Sequence, residues 1–152
     1  MEKHLLIGLK NTGTQTVLAD GTVNLGNVYR KFCKANKCGI PCFNVTSNGI
    51  TLNHSGIYKV TATFVGTGET AGDVTIQLAE NGELVTGALS TQTITTATTE
   101  FRTFVIDYLI KVDKDCVLGY ATTDAKTISF VNVSEDIDAT FTNVVVNVVK
   151  EV

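Results

Sequence analysis

The sequence predicts an all-β fold of about eight to ten short antiparallel strands arranged as a sandwich or barrel. Three observations predict it. Apolar residues nowhere recur at the spacing of an amphipathic helix, whereas period-two alternation recurs along the chain. Turn-forming pairs (Asp20-Gly21, Asn48-Gly49 and Asn81-Gly82) punctuate the alternating runs at short intervals. Charged residues are 18% of the chain against a typical share of about 25%. Thr and Asn fill the surface instead, and β-branched Thr suits a pleated, half-exposed strand. A chain of 152 residues makes one domain, which buries roughly 68–70% of the surface exposed when unfolded.

Along the chain, residues 1–30 are expected to supply a strand and an attachment segment, and residues 31–152 the body of the domain. Asp20-Gly21 precedes a strand-like run over 22–32. Asn48-Gly49 separates 43–47 from 50–53. In 56–66, Tyr58, Val60, Ala62 and Phe64 share one face while Lys59, Thr61 and Thr63 share the other, the pattern of a half-buried antiparallel strand. In 73–79, Val74, Ile76 and Leu78 oppose Thr75 and Gln77. Asn81-Gly82 supplies the two positive-φ positions of a type I′ turn, so 73–80 should pair with 83–88. The Thr-rich run 89–100 reads equally as an edge strand or an extended loop. Segments 101–112, 116–122, 127–133 and 137–149 complete the set.

Two of these segments are apolar on both faces. In 101–112, Phe104, Ile106, Tyr108, Ile110 and Val112, with Arg102, oppose Phe101, Val105 and Leu109. In 141–149, Val144, Val146 and Val148 oppose Phe141, Val145 and Val149. A sandwich strand in a monomer buries only one face, and large bare apolar patches are rare on soluble monomers. Either the N-terminal segment 1–30 covers the second face or another subunit does. Phe101, Val105, Leu109, Phe141, Val145 and Val149 are therefore the candidate interface residues.

The charge balance, a formal −3, argues against a nucleic-acid partner, which needs clustered cations. The short basic cluster Arg30, Lys31, Lys34 and Lys37 reads as a solvated loop. No run approaches the ~20 apolar residues of a membrane helix, and Leu5 to Leu9 is too short for a secretory leader, so synthesis and folding in a cytoplasm are expected. No catalytic constellation forms. His4 lies near the terminus and His54 in a turn sequence, and adjacency of His54 and Ser55 does not create a triad. Glu80 and Glu83 bracket a turn. Asp113, Asp115, Glu135, Asp136 and Asp138 lack calcium-loop spacing. The sequons at Asn44, Asn53 and Asn132 read as coincidental. The chain is expected to be no enzyme and to carry no cofactor and no metal.

The cysteines leave alternatives open. Cys33, Cys38 and Cys42 have spacing C-x4-C-x3-C, with Cys116 distant. A zinc site would need Cys116 or His54 as a fourth ligand. Reduced, buried thiols fit a reducing compartment, and oxidation after release from a cell is the third reading.

Residues 43–64 contain an aromatic (Phe43), a turn closing on Gly49, an apolar residue (Ile50), a second short turn, and then Gly56-Ile57-Tyr58-Lys59-Val60 on a core strand. This resembles the central motif of the jelly-roll superfamily that joins the complement-q globular heads and the tumour necrosis factors. The Val74-x-Ile76-x-Leu78-x-x-Asn81-Gly82 hairpin resembles the next element of that superfamily. Asp113 to Tyr120 resembles its late Gly-Asp-x-Val strand opening, without the Gly, and Phe141 to Val149 falls where its closing strand lies. The resemblance covers about 43–149. It implies an antiparallel jelly-roll sandwich and a homotrimer. Within the superfamily, a charge-poor, Thr- and Asn-rich chain of this length resembles phage virion components. That implies a head-fibre or capsid-decoration module located in the virion, with a capsid or fibre protein as partner. The alternative is a receptor- or glycan-binding tip of a fibre or spore-surface protein, using loops 67–72, 89–100 and 122–127 toward a host surface glycan or receptor.

Overall fold

A computed structural model describes residues 5–33, 41–113 and 124–152. Among these residues there is no helix, and eleven strands form: β1 (Leu6–Asn11), β2 (Gln15–Val17), β3 (Asn27–Phe32), β4 (Phe43–Thr46), β5 (Gly49–Leu52), β6 (Gly56–Gly68), β7 (Gly72–Glu80), β8 (Glu83–Ile94), β9 (Arg102–Val112), β10 (Lys126–Asn132) and β11 (Ala139–Lys150). They build two antiparallel sheets. The first has the order β3-β1-β11-β6-β9, with β2 also paired to β11, and the second β4-β5-β10-β7-β8. The predicted strand over 116–122 lies outside the described residues.

Local sequence explains the turns. Asn81 and Gly82 both take positive φ, 52° and 83°, as the β7–β8 hairpin requires. The Thr-rich run resolves into both alternatives: β8 continues to Ile94 as the edge of the second sheet, and 95–100 form a turn. That turn is closed by Glu100, whose carboxylate accepts the Thr95 and Thr96 backbone N–H groups at 2.8 and 2.9 Å and the Thr95 hydroxyl at 2.7 Å. The β4–β5 hairpin turns one residue earlier than the Asn-Gly pair suggests, at Ser47-Asn48, so that Gly49 already belongs to β5. There a Cβ would meet the Ile128 carbonyl oxygen at 2.9 Å, so close strand approach rather than turn conformation requires the glycine. Gly56 opens β6 at φ 147°. Two residues on, the buried Tyr58 donates its hydroxyl to the His54 carbonyl at 2.7 Å.

The core lies between the sheets. The inward faces read from the alternation are buried: Tyr58, Val60, Ala62 and Phe64 on β6; Val74, Ile76 and Leu78 on β7; Phe104, Ile106, Ile110 and Val112 on β9; Val144, Val146 and Val148 on β11. Phe64 meets Phe130 of the opposite sheet with ring centroids 5.2 Å apart. Burying a side chain of this size contributes about 1.5–3 kcal/mol.

Phe141 corrects one assignment. It is fully buried, on the core side, with centroids 5.9 Å from Phe64 and 6.1 Å from Phe104. A bulge between Phe141 and Asn143 in the β11–β6 pairing adds a residue and reverses the alternation. Phe141 therefore shares a side with Val144 and cannot contact a second subunit. Its cross-strand partner is Gly66, where a Cβ would lie 2.4 Å from the Phe141 ring.

The N-terminal residues are woven into the sandwich. β1 sits between β3 and β11, and Leu5, Ile7, Leu9, Val17, Val23 and Leu25 enter the core. The expected boundary at residue 31 falls within β3. Because β1 joins the first sheet in plane, it extends that sheet and does not cover its outer face.

Cys33, just after β3, and Cys42, just before β4, form a disulfide with a Cα–Cα distance of 6.3 Å. For this pair the disulfide replaces the reduced-thiol reading. Cys38, Cys116 and His4 lie outside the described residues. Asn53 and Asn132 are buried, which removes both as accessible sequons. Asn132 is a structural hub. Its amide NH2 donates to the Val17 and Ile137 carbonyls at 3.1 and 2.9 Å, and its Oδ1 accepts from the Ser134 N–H and hydroxyl at 3.1 and 2.5 Å.

Candidate subunit interface

The outer face of the first sheet follows directly from strand register, because residues opposite one another across antiparallel strands point the same way. One row runs Phe32, Leu6, Val149, Lys59, Leu109 from β3 to β9. A second runs Gly8, Asn147, Thr61, Asp107. A third runs Lys10, Val145, Thr63, Val105. Two partly apolar rows therefore flank a polar one.

The apolar members are substantially exposed: Leu109 is 59% exposed, Val105 52%, Phe101 44%, Phe32 43% and Val149 38%. Val145 is half-buried. Of the six candidate residues, five thus lie outward and Phe141 lies inside. Phe101 precedes β9 by one residue.

Several polar groups on the same face are paired. The Tyr29 hydroxyl donates to Asn147 Oδ1 at 2.5 Å. Its ring lies across Gly8, where a Cβ would be 2.7 Å from it. Lys10 and Arg30 approach that ring at 5.4 and 6.0 Å from its centroid. Lys59 and Asp107 form an ion pair at 3.8 Å with both side chains about half exposed, worth no more than ~1 kcal/mol at such a site. A cleft of about 720 Å³ opens beside Leu109, between Ile57, Lys59, Tyr108 and Val152.

The outer face of the second sheet contrasts with this. Thr51 pairs with Thr127, and Thr75 with Thr91, hydroxyl to hydroxyl at 2.7 Å, and the Thr93 hydroxyl donates to Asp73 at 2.6 Å. Gln77 donates to the Val85 carbonyl at 2.8 Å. Two exposed apolar residues on the edge strand β8 interrupt this pattern, Leu89 opposite Gln77 and Leu84 opposite Ala79. Of the loops considered for a ligand, 67–72 shrinks to a short turn between β6 and β7, 89–94 is strand, and 122–123 lie outside the described residues. Among the described residues no three His, Cys, Asp or Glu side chains converge as metal ligands, and no helix is long and apolar enough to cross a membrane.

Comparison with solved structures locates this architecture. Eiger, a tumour necrosis factor from S. frugiperda, superposes with a TM-score of 0.65 at 13% identity, covering 98% of this chain and 92% of that one. The globular domain of zebrafish complement 1qA gives 0.60 at 10% identity, covering 95% and 94%. The chain has a jelly-roll fold similar to that of these domains. The PRD1 vertex protein P5 also matches this jelly roll, with a TM-score of 0.51 at 18% identity, covering 95% of this chain and 94% of P5. No protein-family model matches the sequence, and neither does any curated protein.

Sequence reasoning found the β9 and β11 contributions to the outer face but missed Leu6, Phe32 and Tyr29. Their signal exists only after strand order is known, since β1 and β3 join the face through β11.

Proposed function

We propose that this chain is a non-enzymatic structural module that assembles as a homotrimer through the outer face of its first sheet. In this reading it is displayed on a phage particle as a head-fibre or capsid-decoration protein. The observation that carries the proposal is the contrast between the two outer faces. One presents Leu109, Val105, Val149 and Phe32 across its strands, and the other is lined by paired Thr hydroxyls, with Leu84 and Leu89 exposed only on its edge strand β8. Fully burying side chains of this size is worth about 1.5–3 kcal/mol each, enough for a few of them to outweigh the surface ion pair on the same face. The jelly-roll likeness supports a trimer, which the family resemblance implies. The likeness to a phage vertex protein supports the virion setting.

A second reading, a receptor- or glycan-binding tip, is favoured by the hydroxyl-rich face of the second sheet, which stays in solvent when the first sheet is buried. Negative-stain imaging of the purified oligomer, with antibody labelling of particles, tests the main proposal. Three-lobed assemblies and labelled particles are expected. Single lobes and unlabelled particles would overturn it. Binding on a glycan array, with particles unlabelled, would favour the second reading.

A further inference from the structure

We propose that the Cys33–Cys42 disulfide is a redox latch that holds the edge strand β3, and with it Phe32, on the subunit face. The inference deepens the interface reading above and rests on it for its effect on assembly. β3 is an edge strand of the first sheet with no buried residue. Among the described residues it pairs only with β1 within that sheet, and all six of its residues are exposed. Among the described residues, its packing toward the core begins with the partly buried Cys33. The disulfide ties that end to Cys42, which is buried in the core at the start of the other sheet. It therefore bridges the edge strands of the two sheets, β3 and β4. Phe32, adjacent to Cys33, ends the partly apolar row that runs through Leu6, Val149 and Lys59 to Leu109.

The chemistry is thiol–disulfide exchange with a dithiol. One thiolate of the dithiol attacks Cys33 Sγ, the more accessible sulfur, and the S–S bond breaks with Cys42 leaving as thiolate. The second thiol of the dithiol then displaces Cys33 and closes a cyclic disulfide. Two electrons and two protons pass to the protein, giving two thiols. With the crosslink gone, β3 is held by its pairing to β1 and by the Tyr29 contacts, and it opens more often. A chain folded in a reducing cytoplasm would carry the latch open and close it in an oxidising medium.

The test compares oxidised protein, protein treated with dithiothreitol, and Cys33→Ser/Cys42→Ser. Readouts are thermal midpoint, amide exchange of residues 27–32, and sedimentation mass. Loss of the crosslink should lower Tm by roughly 5–10 °C, from the loop it closes and the size of the chain. It should speed exchange across β3 at least tenfold and weaken assembly, while Cys38→Ser leaves the dithiothreitol response intact. Unchanged Tm and β3 exchange would overturn the latch even if the oligomer persists. So would a response abolished by Cys38→Ser. A monomer in both redox states whose β3 exchange still responds would overturn the interface reading and leave the latch standing.

Discussion

Phe141 packs against Phe64 inside the sandwich, with ring centroids 5.9 Å apart, although simple alternation along its strand points it outward. The bulge that turns it inward makes it a core residue at the centre of a chain of rings from Phe104 through Phe64 to Phe130. Phe141→Ala should therefore cost about 3–5 kcal/mol, the range for removing a buried Phe. Urea denaturation at fixed oligomer concentration measures it. A loss below about 1 kcal/mol would mean that the ring is not packed as described.

Asn132 carries a second stability prediction. It is fully buried and ties β10 to the Val17 carbonyl and to the 134–137 segment. Asn132→Ala strands several buried donors and acceptors, at about 1–3 kcal/mol for each left unpaired. A loss of at least ~2 kcal/mol is expected in the same denaturation assay, and Asn132→Asp should fail to restore it because the Val17 and Ile137 carbonyls need a donor.

Glu100 carries the pH prediction. Hydrogen bonds from Thr95 and Thr96 and the Arg102 guanidinium hold its carboxyl at about 2, below the ordinary 4.5. A depressed folded-state pKa adds stability above the unfolded value, and this is lost as pH falls through the folded one. The 95–100 turn should therefore hold its form down to about pH 4 and loosen between pH 4 and 2. Carboxyl chemical shifts followed by NMR check this. A Glu100 midpoint near 4.5 would contradict it.

The proposed interface makes a prediction about ionic strength. In the proposed trimer, burial of Val105, Leu109 and Val149 outweighs the Lys59–Asp107 pair, and salt screens only the latter. Assembly should change little between 0.1 and about 0.5 M salt, whereas Val105→Asp/Leu109→Asp should release monomers that keep the β-sheet circular dichroism spectrum. Light scattering reads both. Dissociation by salt alone would assign the association to charge.

Much of this fold was legible in the chain because its strands are half-buried and alternate cleanly. Tyr58 to Phe64 and Val74 to Leu78 declare their inward faces, and Asn81-Gly82 declares its turn. The structure departs from the reading where one residue breaks a period. The β11 bulge moves Phe141 across the sheet, and close approach to Ile128 shifts the role of Gly49. The candidate face was half legible. Val105 and Leu109 betray a two-sided strand locally, but Leu6, Phe32 and Tyr29 reach that face through pairings between residues more than a hundred positions apart, such as Tyr29 with Asn147. The Cys33–Cys42 pairing was one of several arrangements open to four cysteines, and proximity in space selects it.

Sedimentation equilibrium of the oxidised chain at micromolar concentration is the most direct test of the central claim. A closed trimer of the 16.2 kDa chain should give a single species of about 49 kDa. A single species at the chain mass, with Leu109 and Val105 left in water, would contradict it.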